Sequence, residues 1–426
     1  MLTLLGTLLL LLILKVPVAF SLFISSLFYL ITKDISPLIA VQRMAMGVGD
    51  SFPLMAVPFF ILAGSIMNSG GITERLFSFA NKLVGHITGG LGHANILASI
   101  IFSGMSGTAI ADAGGLGAIE LKAMKDAGYD EDFSLAVTGA SSIIGPIIPP
   151  SVPAVVFGVI AGVSIGRLFI AGVLPGLFMG LVMAGLVYHQ SKKRNYPKER
   201  KATFREILSA TKSSFFPLLT PVVIIGGILI GVFTPTEAAI IAVIYSLILA
   251  FVYRSITIKD LPRFLRETAN TTVGVMLIVA AASLFGWILA SEQIPQKLSQ
   301  FFLANFPNKY MALLVINIFL LIAGTFMETI AALTILTPVL MPVVMGLGID
   351  PVHFGIVMIL NLMIGLLTPP VGMVLYVLAG VSKVPFEKIS KAVTPYLIIL
   401  AVTLLIITYV PQISLFLPDL LFGAAK

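Results

Sequence analysis

Two stretches of the 426-residue chain set small hydroxylated residues beside glycine: Ser103-Gly104-Met105-Ser106-Gly107-Thr108 and Gly324-Thr325-Phe326-Met327-Glu328-Thr329. About 40 residues after each comes a proline break, Gly145-Pro146-Ile147-Ile148-Pro149-Pro150 and Gly365-Leu366-Leu367-Thr368-Pro369-Pro370. Proline has no amide proton and clashes with the carbonyl four residues earlier, so carbonyls around Gly145, Ile148, Gly365 and Thr368 are expected to lose their helical partners. Carbonyls and hydroxyls together suit a hard monovalent cation such as sodium, and half-helix amino termini beside them suit an anionic substrate. Proline kinks healed by water or hydroxyl side chains are the plain structural alternative. The ionisable groups within these apolar regions are chiefly Asp112 and Glu328, each a candidate proton or cation site. Asp112 reads equally well as a brace for the first stretch.

The rest of the composition says what must position these groups. Of all residues 58% are hydrophobic and 11% are Asp, Glu, Lys or Arg, against about 25% charged in ordinary soluble domains. With a mean hydropathy of +1.07 and apolar runs from Leu2 to Leu417, the chain is expected to be a polytopic all-α membrane protein, at roughly 20 residues per spanning helix. The absence of cysteine excludes a disulfide framework, a thiolate metal site and thiol catalysis. Four histidines leave little scope for zinc.

The net charge of +7 is concentrated. Between Lys192 and Lys212 eight basic residues face two acidic ones, which marks a cytoplasmic loop rather than a nucleic-acid surface. A second basic segment, with Arg254, Lys259, Arg263 and Arg266, follows two apolar stretches and returns to the same side. The amino terminus has no basic n-region and no clear cleavage site, and is read as a retained first helix. On this topology Lys15 is cytoplasmic and both termini lie on the opposite side.

A shift of 220 residues pairs Gly104 with Gly324, Gly128 with Gly348, Asp130 with Asp350, Gly145 with Gly365, Pro149-Pro150 with Pro369-Pro370 and Pro175 with Pro395. At a shift of 218, Ala161-Gly162-Val163-Ser164 recurs as Ala379-Gly380-Val381-Ser382 and Pro17 pairs with Pro235. Because Gly and Pro fix unusual backbone, the ordered series predicts duplicated geometry. The intervening basic loop and an odd number of crossings predict two inverted repeats. Each repeat is expected to contain an amphipathic interfacial arm, 34–50 and 255–272, a re-entrant helical hairpin with its tip near 103–108 or 324–329, and a proline-broken helix. Ordinary tightly turning spans are the alternative to the hairpins. The expected organisation is 1–60 scaffold helices and arm, 61–190 transport segment, 191–212 basic loop, 213–270 scaffold helices and arm, and 271–426 transport segment.

The stretches Ser-Gly-Met-Ser-Gly-Thr-Ala-Ile-Ala-Asp at 103–112, Gly-Pro-Ile-Ile-Pro-Pro-Ser at 145–151 and Leu-Thr-Pro-Pro-Val-Gly at 367–372 together resemble the large membrane subunit of a tripartite ATP-independent periplasmic (TRAP) transporter, over essentially the whole chain. The resemblance implies an elevator-type, sodium-driven importer of an organic acid such as sialic acid, a C4-dicarboxylate or a 2-oxo acid, in the bacterial inner membrane. It implies a periplasmic substrate-binding protein and a small four-helix membrane subunit, expected on a separate chain, as partners. Carried onto these residues, one sodium ion falls among Ser103, Ser106, Gly145, Ile148 and Pro149, and a second among Gly324, Thr325, Gly365, Thr368 and Pro369. Substrate falls between the tips, near Ser106, Thr108, Asp112, Glu328 and Thr329. A cationic clamp is not evident, since Arg43 and Arg167 lie near expected helix ends. No organic cofactor and no nucleic acid is implied.

A proton-coupled carrier of the same fold is the nearer alternative, because carbonyl cages imply a cation without naming it. An intramembrane serine protease using Ser106 is the remote one. It needs a general base, and none of His86, His93, His189 and His353 is placed for that role by sequence.

Overall fold

The computed structural model describes residues 2–69, 71–306 and 308–423. Among them there are helices and no strands. The first half comprises α1 (Leu2–Ile13), α2 (Val18–Thr32), α3 (Leu38–Gly49), α4 (Ala56–Ser69), α5 (Ile72–Val84), α6 (Gly90–Ser106), α7 (Ala109–Ala111), a π-helical turn (Asp112–Leu116), α8 (Gly117–Asp126), α9 (Glu131–Ser142), α10 (Val152–Ala161) and α11 (Ile165–Arg194). The second comprises α12 (Phe204–Leu229), α13 (Pro235–Val252), α14 (Leu261–Ser291), α15 (Ile294–Asn305), α16 (Lys309–Phe326), α17 (Thr329–Gly346), α18 (Pro351–Gly365), α19 (Met373–Ser382), α20 (Phe386–Tyr409) and α21 (Gln412–Phe422). Seven described helices are long and apolar enough to cross a membrane, or eight if the bent pair formed by α3 and α4 is one span.

Local sequence fixes many of the ends. Thr203 with Glu206 and Thr234 with Glu237 form capping boxes at the starts of α12 and α13, each satisfying amides that the first turn leaves free. Asp350 caps α18, its Oδ1 accepting from the amides of Val352 at 2.7 Å and His353 at 3.1 Å. The paired glycines Gly128 and Gly348 both take positive φ, 78° and 67°, and each precedes the acid, Asp130 or Asp350, at which the next helix begins. Both Pro149-Pro150 and Pro369-Pro370 are cis.

The 30-residue α11, about 45 Å long at 1.5 Å per residue, provides a ruler. At its carboxyl end Arg194 binds Asp130 and Asp132, each at 2.9 Å. At that same end Gly89 lies against Ser191, and Glu199 donates its amide to Gly85 at 3.0 Å. At the amino end Arg167 binds Asp419 at 2.6 Å, and the nearby end of α20 meets the start of α16, where Tyr409 donates to the Tyr310 carbonyl at 3.1 Å. His353 completes this end, bonded to Ser414 at 2.7 Å and to the Thr408 carbonyl at 3.1 Å. Thus α6 and α9 start from the Arg194 end, while α16 and α18 start from the Arg167 end. The helices α6 and α9 therefore run opposite to α16 and α18.

Three expectations need correction. Arms were expected at 34–50 and 255–272. The first segment forms a separate helix, α3, bent by 67° from the helix that follows, but the second is largely continuous with the 31-residue α14. Pro53 lies at the first junction, whereas the 220-residue shift puts Val273 at the second, and valine retains the amide that continues a helix. The second tip is also narrower than 324–329: α16 remains helical through Gly324 and Thr325, and only Met327 and Glu328 are extended. A helical glycine costs about 1 kcal/mol relative to alanine but does not end a helix. Third, Arg43 lies within α3, its guanidinium over the Trp287 ring at 5.2 Å; it is not at a helix end.

Candidate substrate and cation site

The first tip is the pair Gly107 and Thr108. Gly107 closes α6 at φ 62°, a left-handed conformation that glycine adopts without a Cβ clash. Thr108 is extended, and its hydroxyl accepts the Ala111 amide at 3.3 Å. At the second tip, the residue 220 positions on is Glu328, whose Oε2 accepts the Ala331 amide at 3.1 Å. The paired residues therefore do the same local work, each capping the second arm of its hairpin, but one is neutral and the other is an acid.

Each hairpin packs on the break of its own half. A Cβ added to Gly107 would lie 2.8 Å from the Pro150 carbonyl oxygen, and one on Gly145 would lie 3.7 Å from the Thr108 oxygen and 3.8 Å from Asp112 Oδ2. In the second half the approach is backbone to backbone, since a Cβ on Gly365 would lie 2.5 Å from the Gly324 carbonyl carbon. Among the described residues no backbone amide donates to the carbonyls of Gly145, Ile148, Pro149, Thr368 or Pro369. The expectation for Gly365 is modified: its carbonyl accepts the Thr368 amide at 2.9 Å, leaving one lone pair. Pro149 and Pro150 are buried, while Pro369 and Pro370 are exposed.

Three hydroxyls of the expected cation sites share one arrangement. Ser103 donates to the Ile100 carbonyl at 2.5 Å, Thr325 to Ile322 at 2.8 Å and Thr368 to Ile364 at 2.8 Å. With the proton committed to the helix behind it, each oxygen keeps lone pairs for another ligand. The side chain of Ser106 lies outside the described residues.

The two tips meet at a cavity of about 440 Å³ that includes Thr108, Glu328 and Thr329 in its walls. Asp112 is not among those walls. It sits on the π-helical turn behind the first tip, 1% exposed, with Oδ2 unpartnered. Residues that sequence reasoning passed over also line the cavity: Ser65 and Asn68 from α4, and Glu267, Thr268 and Thr271 from α14. Asn68 donates to the Ala111 carbonyl at 3.3 Å and so ties α4 to the first tip. Ser65 and Asn68 interrupt an otherwise apolar helix, whereas Glu267, Thr268 and Thr271 stand in the polar stretch read as the second arm.

No histidine serves as a base here. His93 lies on the same helix as Ser106 but about 20 Å away along its axis at 1.5 Å per residue. His353 is bonded to Ser414 and Thr408 at the Arg167 end. None of the four histidines lines the cavity.

Comparisons with known proteins agree with this architecture. The family model described as "Tripartite ATP-independent periplasmic transporter, DctM component" matches residues 5–413. The chain is 50% identical to the sialic acid TRAP transporter large permease protein SiaM of Vibrio cholerae, over 96% of each chain. It is 40% identical to the C4-dicarboxylate TRAP transporter large permease protein DctM of Pseudomonas aeruginosa, over 87% of each. Among solved structures, the YdaH transporter of Alcanivorax borkumensis shares the fold at a TM-score of 0.62 and 14% identity, over 87% of each chain. With these matches and its membrane-spanning helices, the chain belongs to the DctM-component family of TRAP transporters, the large permeases of the bacterial inner membrane.

Proposed function

We propose that the protein is a sodium-coupled importer of an organic acid that works by an elevator movement. The observation that carries this reading is the meeting of two tips at one cavity, each hairpin arriving from the opposite end of the molecule and seated on a break with unpaired carbonyls. One sodium ion is assigned to Ser103, Ser106, Gly145, Ile148 and Pro149, and a second to Gly324, Thr325, Gly365, Thr368 and Pro369. Thr108 and Thr329 supply neutral hydroxyls for substrate, with Ser106 beside them and Glu328 opposite. The opposed directions of α9 and α18 support inverted repeats. The segments 61–190 and 271–426 form the moving part, and 1–60 with 213–270 the scaffold, with the changeover falling within α4 and α14.

The carboxylic acids borne by the relatives' names, sialic acid and C4-dicarboxylates, define the substrate class. The tripartite family description supports a periplasmic binding protein and a small membrane subunit as partners. The basic segment 192–212 places the Arg194 end in the cytoplasm.

The test is sodium binding by the purified protein. Thermal stability is expected to rise with sodium chloride and not with choline chloride at equal ionic strength; equal responses refute the sodium assignment. A proton-coupled reading has its own support in Asp112 and Glu120, both 1% exposed and each with unpartnered carboxyl oxygens. Uptake driven by a proton gradient without sodium would favour it.

A further inference from the structure

Two charged residues line the cavity among those described, and both are acids: Glu267 from α14 and Glu328 from the second tip. No lysine, arginine or histidine joins them. Glu328 is partly compensated, since its carboxylate accepts the Ala331 amide at the positive end of the 18-residue α17. Glu267 has much less. The Ser65 hydroxyl is 3.4 Å away, and Arg263 approaches only to 3.8 Å, with both charged side chains more than half exposed. Such a surface pair neutralises little.

Resting on the organic-acid reading above, we propose that Glu267 is a specificity-determining residue. It favours an acid with one carboxylate and several hydroxyl or amide donors, and disfavours a dicarboxylate. An ionised carboxylate only accepts hydrogen bonds. A hydroxylated tail can donate to it, whereas a second substrate carboxylate meets a like charge that Arg263, 3.8 Å away and more than half exposed, offsets only weakly. On the tip side the Glu328 carboxylate is already engaged by the Ala331 amide, and the Thr108 hydroxyl of the facing tip is neutral. This leaves the first tip as the place for the single substrate carboxylate and turns the donor-rich end toward α14. A volume of about 440 Å³ also leaves room for a ligand much longer than a four-carbon diacid.

The experiment compares binding of N-acetylneuraminate and succinate by the full-length protein in lipid nanodiscs with saturating sodium. Titration calorimetry would be run on wild type, Glu267→Gln and Glu267→Asp, with thermal unfolding as the folding control. Wild type is expected to prefer N-acetylneuraminate by at least about tenfold. Glu267→Gln should narrow that ratio by roughly tenfold, mainly through tighter succinate binding, and Glu267→Asp should retain it. Succinate binding as tightly as N-acetylneuraminate in wild type overturns the proposal whatever the variants do. So does an unchanged ratio in a folded Glu267→Gln protein. Those results leave the organic-acid reading standing, whereas failure of wild type to bind either acid removes both.

Discussion

In the proposed cation sites, single residues are assigned as ligands because their oxygens are left over from the helix. Ser103 donates only to a carbonyl of its own helix and Thr368 only to one of the helix before it, so removing either hydroxyl costs about 1 kcal/mol or less in folding. A lost cation ligand is read directly in affinity. Ser103→Ala and Thr368→Ala are each expected to weaken sodium binding about tenfold, measured by thermal stabilisation against sodium concentration, while the sodium-free melting temperature hardly moves. Unchanged sodium dependence in both would reject the assigned cages. Gly365→Ala tests the contact between hairpin and break. Its Cβ would press on the Gly324 carbonyl carbon at 2.5 Å, so the variant should lose about 1–3 kcal/mol of stability and its sodium response. Gly380→Ala, with nothing within 4 Å, should do neither. The glycine and proline positions were legible in the sequence because each is a backbone statement. Glu267, Ser65 and Thr271 were not, since a polar side chain alone gives no indication of which cavity it will meet.

Elements determine which of those residues come together. Both proline breaks and both tips were readable from composition, but their widths were not: α16 continues to Phe326 because nothing before Met327 obliges it to stop. The fate of the second arm depended on whether a proline stood at the junction. The loop between the halves is also tied more firmly than its charge suggests. The Arg194 guanidinium holds the Asp132 carboxyl below the usual carboxylate range, and burial with a hydrogen bond to Asp130 pushes the Tyr196 phenol up to about 12. A depressed carboxyl stabilises the fold above its unfolded-state pKa of about 4, and that contribution disappears as pH falls through the lower folded value. The pair is partly exposed, so the contribution is below about 1 kcal/mol. The stability difference between wild type and Asp132→Asn should be constant from neutral pH down to about 5 and close below about 4, as followed by thermal unfolding. A gap that widens on acidification would contradict the assignment.

At the scale of the whole molecule, the all-helical membrane class was legible because hydropathy acts over long stretches of chain, while the paired Gly and Pro positions support the proposed duplication. The meeting of the tips in one cavity was an expectation of the resemblance that composition alone could not supply. The elevator reading requires α11 to slide past α12. Gly166 of α11 faces Ile228 of α12, with a Cβ-to-Cγ2 separation of 3.4 Å, a spacing compatible with a disulfide. In this cysteine-free chain, oxidised Gly166→Cys/Ile228→Cys protein should bind sodium but lose uptake, and reduction should restore it. Full uptake by completely oxidised protein would place both helices in one rigid body.

The central claim is that a sodium gradient drives the transport cycle. Its most direct test is uptake of labelled N-acetylneuraminate into proteoliposomes containing the protein, its small membrane subunit and the cognate binding protein, with an inward sodium gradient or with choline in its place. The account predicts accumulation above equilibrium only with the sodium gradient. Equal accumulation in choline would contradict it.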